Sequence, residues 1–109
     1  MNIDTARAAL LATIPEDARD SAAAYLDETP YAEGEPVPIE RGAEPATERI
    51  YLGFVDLAPG HNWGHACLYI RCGKRLRIDQ ARLPPQLAKG RVLTLVSAGA
   101  SVPKWALLG

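Results

Sequence analysis

Residues 49–79 read RIYLGFVDLAPGHNWGHACLYIRCGKRLRID, and the fold class turns on how this stretch is parsed. Two apolar runs, 50–57 and 65–71, flank a loop that carries Pro59, Gly60 and Gly64, and a third run, 75–79, follows Gly73. In the first run Ile50, Leu52 and Phe54 share one parity while Tyr51, Val55 and Leu57 share the other. A strand that is apolar on both faces needs covering on both faces, so 50–57 is read as a central strand. The second run is expected to point Ala66, Leu68 and Ile70 inward. In 75–79, Leu76 and Ile78 alternate with Arg75 and Arg77, the pattern of a half-exposed strand.

Parity also constrains the hairpin between the last two runs. A two-residue connection would set Leu68 and Ile70 against arginines. A three-residue loop of Arg71, Cys72 and Gly73 instead sets Leu68 opposite Leu76 and Ala66 opposite Ile78, which predicts Gly73 in the left-handed conformation at a bulge.

Toward the N-terminus, residues 4–14 place Ala6, Leu10 and Ile14 at helical spacing, an amphipathic pattern. Thr13-Ile14-Pro15-Glu16 matches a capping box, so a second helix, or the continuation of one helix kinked at Pro15, is expected through Ala18, Ala22 and Leu26 to Glu28, stopped by Pro30. Residues 1–29 are therefore read as helical. Residues 30–48 hold Pro30, Pro36, Pro38 and Pro45 among glutamates and show no period. They are expected to form an acidic, extended crossing, with a short edge strand at Val37 and Ile39. Residues 49–109 are β-rich. Beyond the meander, a helical turn is expected at 86–89, a strand at 91–97, and a last strand around Trp105 within 102–108. The sum is one α+β domain: an N-terminal helical segment packed on a mostly antiparallel four- to five-stranded sheet.

Composition excludes several classes. With 109 residues, 48% hydrophobic and 23% charged, the chain suits one ordinary core and not wholesale disorder. No apolar run is long enough to cross a membrane and no signal peptide is predicted, so a membrane partner is not expected. Two cysteines, Cys67 and Cys72, on a strand and its turn do not form a disulfide framework. Free thiols fit a reducing, cytoplasmic setting, and the Ala, Arg and Gly bias is of a bacterial kind. The net charge of -1 conceals a division: residues 1–48 hold three arginines against eleven acidic side chains, while 49–109 hold nine basic side chains against two acidic. The acidic half is expected to fold against the basic half, at separations within a screening length of about 10 Å.

The chemistry-bearing residues concentrate in the same stretch. His61, His65 and Cys67, with Asp56 or Cys72, are of zinc-binding type, but the loop glycines make a helical H-x-x-x-H face improbable and there is no C-x-x-C knuckle. Cys67 with a histidine base would be a thiol nucleophile, although His65 and Cys67 stand about 7 Å apart along one strand face. Arg71, Lys74, Arg75 and Arg77, extended by Arg82, Lys89, Arg91 and Lys104, could attract an anion or a nucleic acid, with Tyr69 or Trp63 stacking on a base. Trp63, between turn residues, is either an anchor for a partner or a cap folded onto the sheet. No phosphate-binding glycine loop, carboxylate pair or nucleophile elbow is present and no cofactor is predicted. The expected function is that of a small protein-interaction or accessory module whose partner is another protein or itself.

Overall fold

Tyr51–Asp56 is buried at every position, as a strand apolar on both parities must be, and the rest of the molecule is arranged around it. The computed structural model describes residues 1–108. Among them a helix, α1 (Ile3–Ala12), precedes the strands β1 (Ala23–Leu26), β2 (Pro36–Pro38), β3 (Ala43–Pro45), β4 (Tyr51–Asp56), β5 (Cys67–Cys72), β6 (Leu76–Ala81) and β7 (Thr94–Ala98), with one-turn 3-10 helices at Glu16–Ala18 and Lys104–Ala106. The main sheet runs β6-β5-β4-β1-β7 with every neighbour antiparallel, and β2 and β3 form a separate antiparallel pair. This is the expected α+β architecture, with one helix on a five-stranded sheet.

Helix α1 starts where Asn2 accepts a hydrogen bond from the Thr5 amide at 2.9 Å, and Asp4 lies in the first turn, where negative charge is favoured. Ala6 and Leu10 are fully buried against Ala24, Leu26, Val55 and Ile70 on one sheet face. The helix sits close because β4 offers Gly53 beneath it: a Cβ there would lie 2.7 Å from Leu10 Cδ1. On the opposite face Tyr25, Phe54 and Tyr69 stand in register across β1, β4 and β5. Ring centroids 6.1 and 5.9 Å apart make an aromatic row, covered in part by Leu93, Leu107 and Leu108. Tyr31, Val37 and Ala46 from the crossing cover Ile50 and Leu52 beside it.

Several expectations are corrected. The second helix is absent: the Thr13 hydroxyl donates back to Leu10 O at 2.6 Å and closes α1 instead of capping forward, and only one 3-10 turn follows Pro15. Residues 23–26 are strand β1, buried at all four positions between β4 and β7. Burial on both faces overrides the helical preference of alanine, and the small side chains at 22 and 24 admit α1 above them. In the hairpin the three-residue loop is 73–75, pairing Cys72 with Leu76 and Ile70 with Ile78. The parity is as expected but the register is displaced, and Ala66 is exposed. Gly73 is not in the left-handed region; it is required because a Cβ would meet Glu48 Cδ at 2.8 Å and Ile50 Cγ2 at 2.9 Å.

Residues 86–89 contain no helical turn. Residues 102–108 hold a 3-10 turn at Lys104–Ala106 and no strand: the Leu108 amide donates to the Tyr25 hydroxyl at 2.9 Å, and Trp105 lies over the left-handed turn glycine Gly60. No helix among the described residues is long and apolar enough to cross a membrane.

Candidate functional site

The loop between β4 and β5 is held by the residues that drew attention to it. Asp56, the last residue of β4, is buried, and its Oδ1 accepts from the Ala58 amide at 3.0 Å and contacts His65 Nε2 at 2.7 Å. His65 Nδ1 lies 2.9 Å from the Asn62 carbonyl oxygen. Both ring nitrogens thus face acceptors within the loop. Trp63 stacks on the His65 ring at 4.4 Å and 19°, with Phe54 6.1 Å away beneath the loop, and remains 39% exposed. Trp63 is therefore folded onto the sheet as a partial cap. His61 is exposed, 6.5 Å from His65 ring to ring.

This arrangement does not assemble the zinc or thiol chemistry. Among the described residues no three His, Cys, Asp or Glu side chains are placed to hold a metal ion. Cys67 is buried on β5 and donates to the Leu83 carbonyl at 3.5 Å, and no hydrogen bond joins it to either histidine. Burial, with Asp56 adding to it, pushes the Cys67 thiol up to about 12, so it is protonated at neutral pH, the reverse of an activated nucleophile. Burial pushes Cys72 up to about 11. The two sulfurs lie on opposite sheet faces, Cys67 with Tyr69 and Phe54, Cys72 with Ile70 and Tyr51.

The arginines part company. Arg77 Nη1 donates to Glu44 Oε2 at 2.8 Å, and its Nε lies 2.9 Å from Asp79 Oδ2; these two carboxylates hold the Arg77 pKa above its ordinary value. Arg71, directly opposite Arg77 across the β5–β6 pair, is buried. Burial, and then the neighbouring Arg77 charge, push its pKa down. Lys74 donates its backbone amide to Glu48 at 2.8 Å. A cavity of about 330 Å³ opens between β3 and the hairpin, lined among others by Arg71, Arg75 and Arg77 on one side and Glu44 and Glu48 on the other.

Arg82 anchors the loop instead, donating from Nε to Gly64 O at 2.8 Å. Arg91 is bound internally by Asp27 and Glu35. Tyr69 is buried and donates to Leu83 O at 2.6 Å, so it is closed to a nucleic-acid base. The structure thus brings Arg71, Arg75 and Arg77 together and removes Arg82 and Arg91 from the group.

Glu44 is the participant that sequence reasoning missed. It lies 33 positions from Arg77 in a crossing without periodicity, and only the charge division between the halves pointed toward such a pair. Comparison with protein families, with characterised proteins and with solved structures returns no match to this chain.

Proposed function

We propose that the protein is a small non-enzymatic interaction module that takes an extended segment of another protein onto the free edge of β7. The observation that carries this reading is the state of that edge. β7 ends the sheet, and its residues, Thr94–Ala98, include no charge and no proline. Sheet edges exposed to solvent are ordinarily blunted by such residues, because unpaired backbone groups template another strand. The other edge, β6, carries Arg77 and Asp79. Around β7, Val92 is 67% and Leu95 41% exposed, and Trp105, on the following turn, is 76% exposed. Apolar and aromatic side chains beside an unpaired strand supply what strand addition needs: main-chain hydrogen bonds for affinity and side-chain contacts for selectivity. The buried, protonated thiols and the engaged His65 support a role without catalysis, and thiols left free suit the reducing cytoplasm, where we place the protein.

The test is site-specific photocrosslinking. A crosslinker at Val92 is expected to concentrate in one protein species, another chain or a second copy identified by mass, and one at Thr5 on α1 is not. Leu95→Lys should abolish the Val92 product while leaving the circular dichroism unchanged. Equal, diffuse labelling from both positions, unaffected by Leu95→Lys, would sink the reading.

A further inference from the structure

The hairpin arginines carry a separate inference, independent of the β7 reading and of whether that reading holds. Arg71 is 7% exposed, and a guanidinium has five N–H donors; Tyr31 Oη is the one fully buried side-chain N or O atom without a partner among the described residues, so the Arg71 donors that no protein group takes up still open to solvent. Its cross-strand neighbours are Leu52 on β4 and Arg77 on β6, an apolar residue and a like charge. Its one side-chain hydrogen bond among the described residues is Nη2 to Glu44 Oε2 at 3.5 Å, the outer limit of such a contact. The same oxygen is only 2.8 Å from Arg77 Nη1, Asp79 is also held by Arg77, and Glu48, the second carboxylate on the cavity wall, accepts from the Lys74 amide at 2.8 Å. Arg71 is thus a buried cation whose neighbouring acceptors serve other residues.

The cavity of about 330 Å³ lies at this under-paired group. Arg75, at the hairpin tip, makes no ion pair among the described residues and lines the same wall. The space of about 330 Å³ suits a small group. We propose that this groove binds an oxyanion, a phosphate or carboxylate group, with Arg71 presenting paired N–H donors to two of its oxygens, Arg75 and Arg77 flanking it, and Glu44 as the internal carboxylate that the ligand displaces. A planar guanidinium matches two oxygens of either group, whereas an ammonium does not. Glu44 is 44% exposed and sits on the short strand β3, so it can swing away without opening the core.

The experiment follows the Arg71 Nε–H signal of the full-length protein by nuclear magnetic resonance while inorganic phosphate or, separately, acetate is added at constant ionic strength. A saturable shift of Arg71 that spares Arg7 on α1 is expected. The stronger of the two anions identifies the ligand as phosphoryl or carboxylate. Glu44→Gln should tighten binding roughly fivefold or more, the scale of one screened repulsive charge removed. Arg71→Lys, which keeps the charge but loses the fork, should weaken binding with the fold intact by circular dichroism. The proposal is overturned by equal, non-saturating shifts at Arg71 and Arg7, by no gain in Glu44→Gln, or by retention of a mixed oligonucleotide without any effect of the small anions.

Discussion

The guanidinium carbon of Arg91 lies 3.5 Å from the centre of the Tyr31 ring, and the stacked pair closes the acidic crossing onto the segment that leads into β7. Nη1 donates to Asp27 Oδ2 at 2.9 Å and to the Thr29 carbonyl at 2.7 Å; Nη2 donates to Glu35 Oε2 at 3.1 Å and to the Pro30 carbonyl at 3.3 Å. Burial opposes the charge on Arg91, but Asp27, Tyr31 and Glu35 outweigh it and hold the pKa above its ordinary value. Asp27 is itself 1% exposed. Arg91→Ala would leave that carboxylate buried without its cation, so a loss of about 3–5 kcal/mol is expected in chemical denaturation. Arg91→Lys should recover only part of it, because an ammonium cannot reach four acceptors and stack on the ring together.

Cys67 and Cys72 are predicted to be inert in the native state. With thiol pKa values pushed up to about 12 and about 11, respectively, the thiolate fraction of Cys67 at neutral pH falls on the order of a thousandfold below that of an ordinary cysteine. Iodoacetamide should modify neither residue appreciably until denaturant is added, after which both should react at ordinary rates. Rapid native alkylation of Cys67 would reinstate it as a reactive centre.

Acid should loosen the contact between the two halves. The hydrogen bond from Arg77 holds the Glu44 carboxyl below its ordinary value of 4.5, so the folded state binds the Glu44 proton more weakly than the unfolded state does. A depressed folded pKa means stability that is fully present above the ordinary value and is lost as pH falls through the lowered one. The ion pair is solvent-exposed and hence screened. Thermal midpoints of the wild type and Glu44→Gln should therefore differ at neutral pH and low salt, and converge below pH 4.5 or at high salt. Glu35 behaves in the same sense, its carboxyl held down first by the Ala32 amide and then by Arg91.

What the sequence made legible followed from periodicity, and what it hid lacked any. Residues 50–57 are apolar on both parities and rich in β-branched and aromatic side chains, with Pro59 and Gly60 just beyond, and that combination selects a central strand. Residues 22–26, Ala-Ala-Ala-Tyr-Leu, are equally apolar in every direction. Five residues cannot separate a buried strand from a buried helical turn, and alanine tilted the choice toward helix. Parity correctly put Leu76 and Ile78 on the face of Ile70, but it is blind to a shift by an even number of residues, which is how the loop moved to 73–75. The charge division foretold contact between the halves, and Arg77–Glu44, Arg91–Asp27 and Arg91–Glu35 are such contacts. It could not foretell which arginine would be left short of acceptors, because that depends on Glu44 reaching Arg77 more closely than Arg71.

Trp63, His65 and Asp56 should behave as one unit. The indole stacks on a ring that is itself fixed by the buried Asp56 carboxylate, so removing either ring deprives the other of its contact. Trp63→Ala and His65→Ala should each destabilise the fold by about 1–2 kcal/mol, and the double variant by less than the sum. A coupling energy of about 0.5–1.5 kcal/mol in the double-mutant cycle is expected. Strict additivity would mean that the stack holds nothing together.

The most severe single-methyl change is predicted at Gly99, just beyond β7. Its amide donates to Ala22 O at 2.9 Å, and two residues on Ser101 donates from its backbone and its hydroxyl to Asp20 O at 3.0 and 2.6 Å. These bonds draw the chain after β7 against the chain that leads into β1, two stretches nearly eighty positions apart. A Cβ on Gly99 would lie 2.2 Å from both the carbonyl carbon and the oxygen of Asp20, and 2.7 Å from Arg19 O. Backbone cannot swing aside as a side chain can, so Gly99→Ala must break the three hydrogen bonds or displace β7 from β1. The cost should reach about 3 kcal/mol, the upper end of overpacking penalties, read as a lowered denaturation midpoint. Gly53→Ala is the informative contrast. Its close neighbour is the end of the Leu10 side chain, which can change rotamer, so a smaller loss is expected although Gly53 lies in the core and Gly99 at its margin.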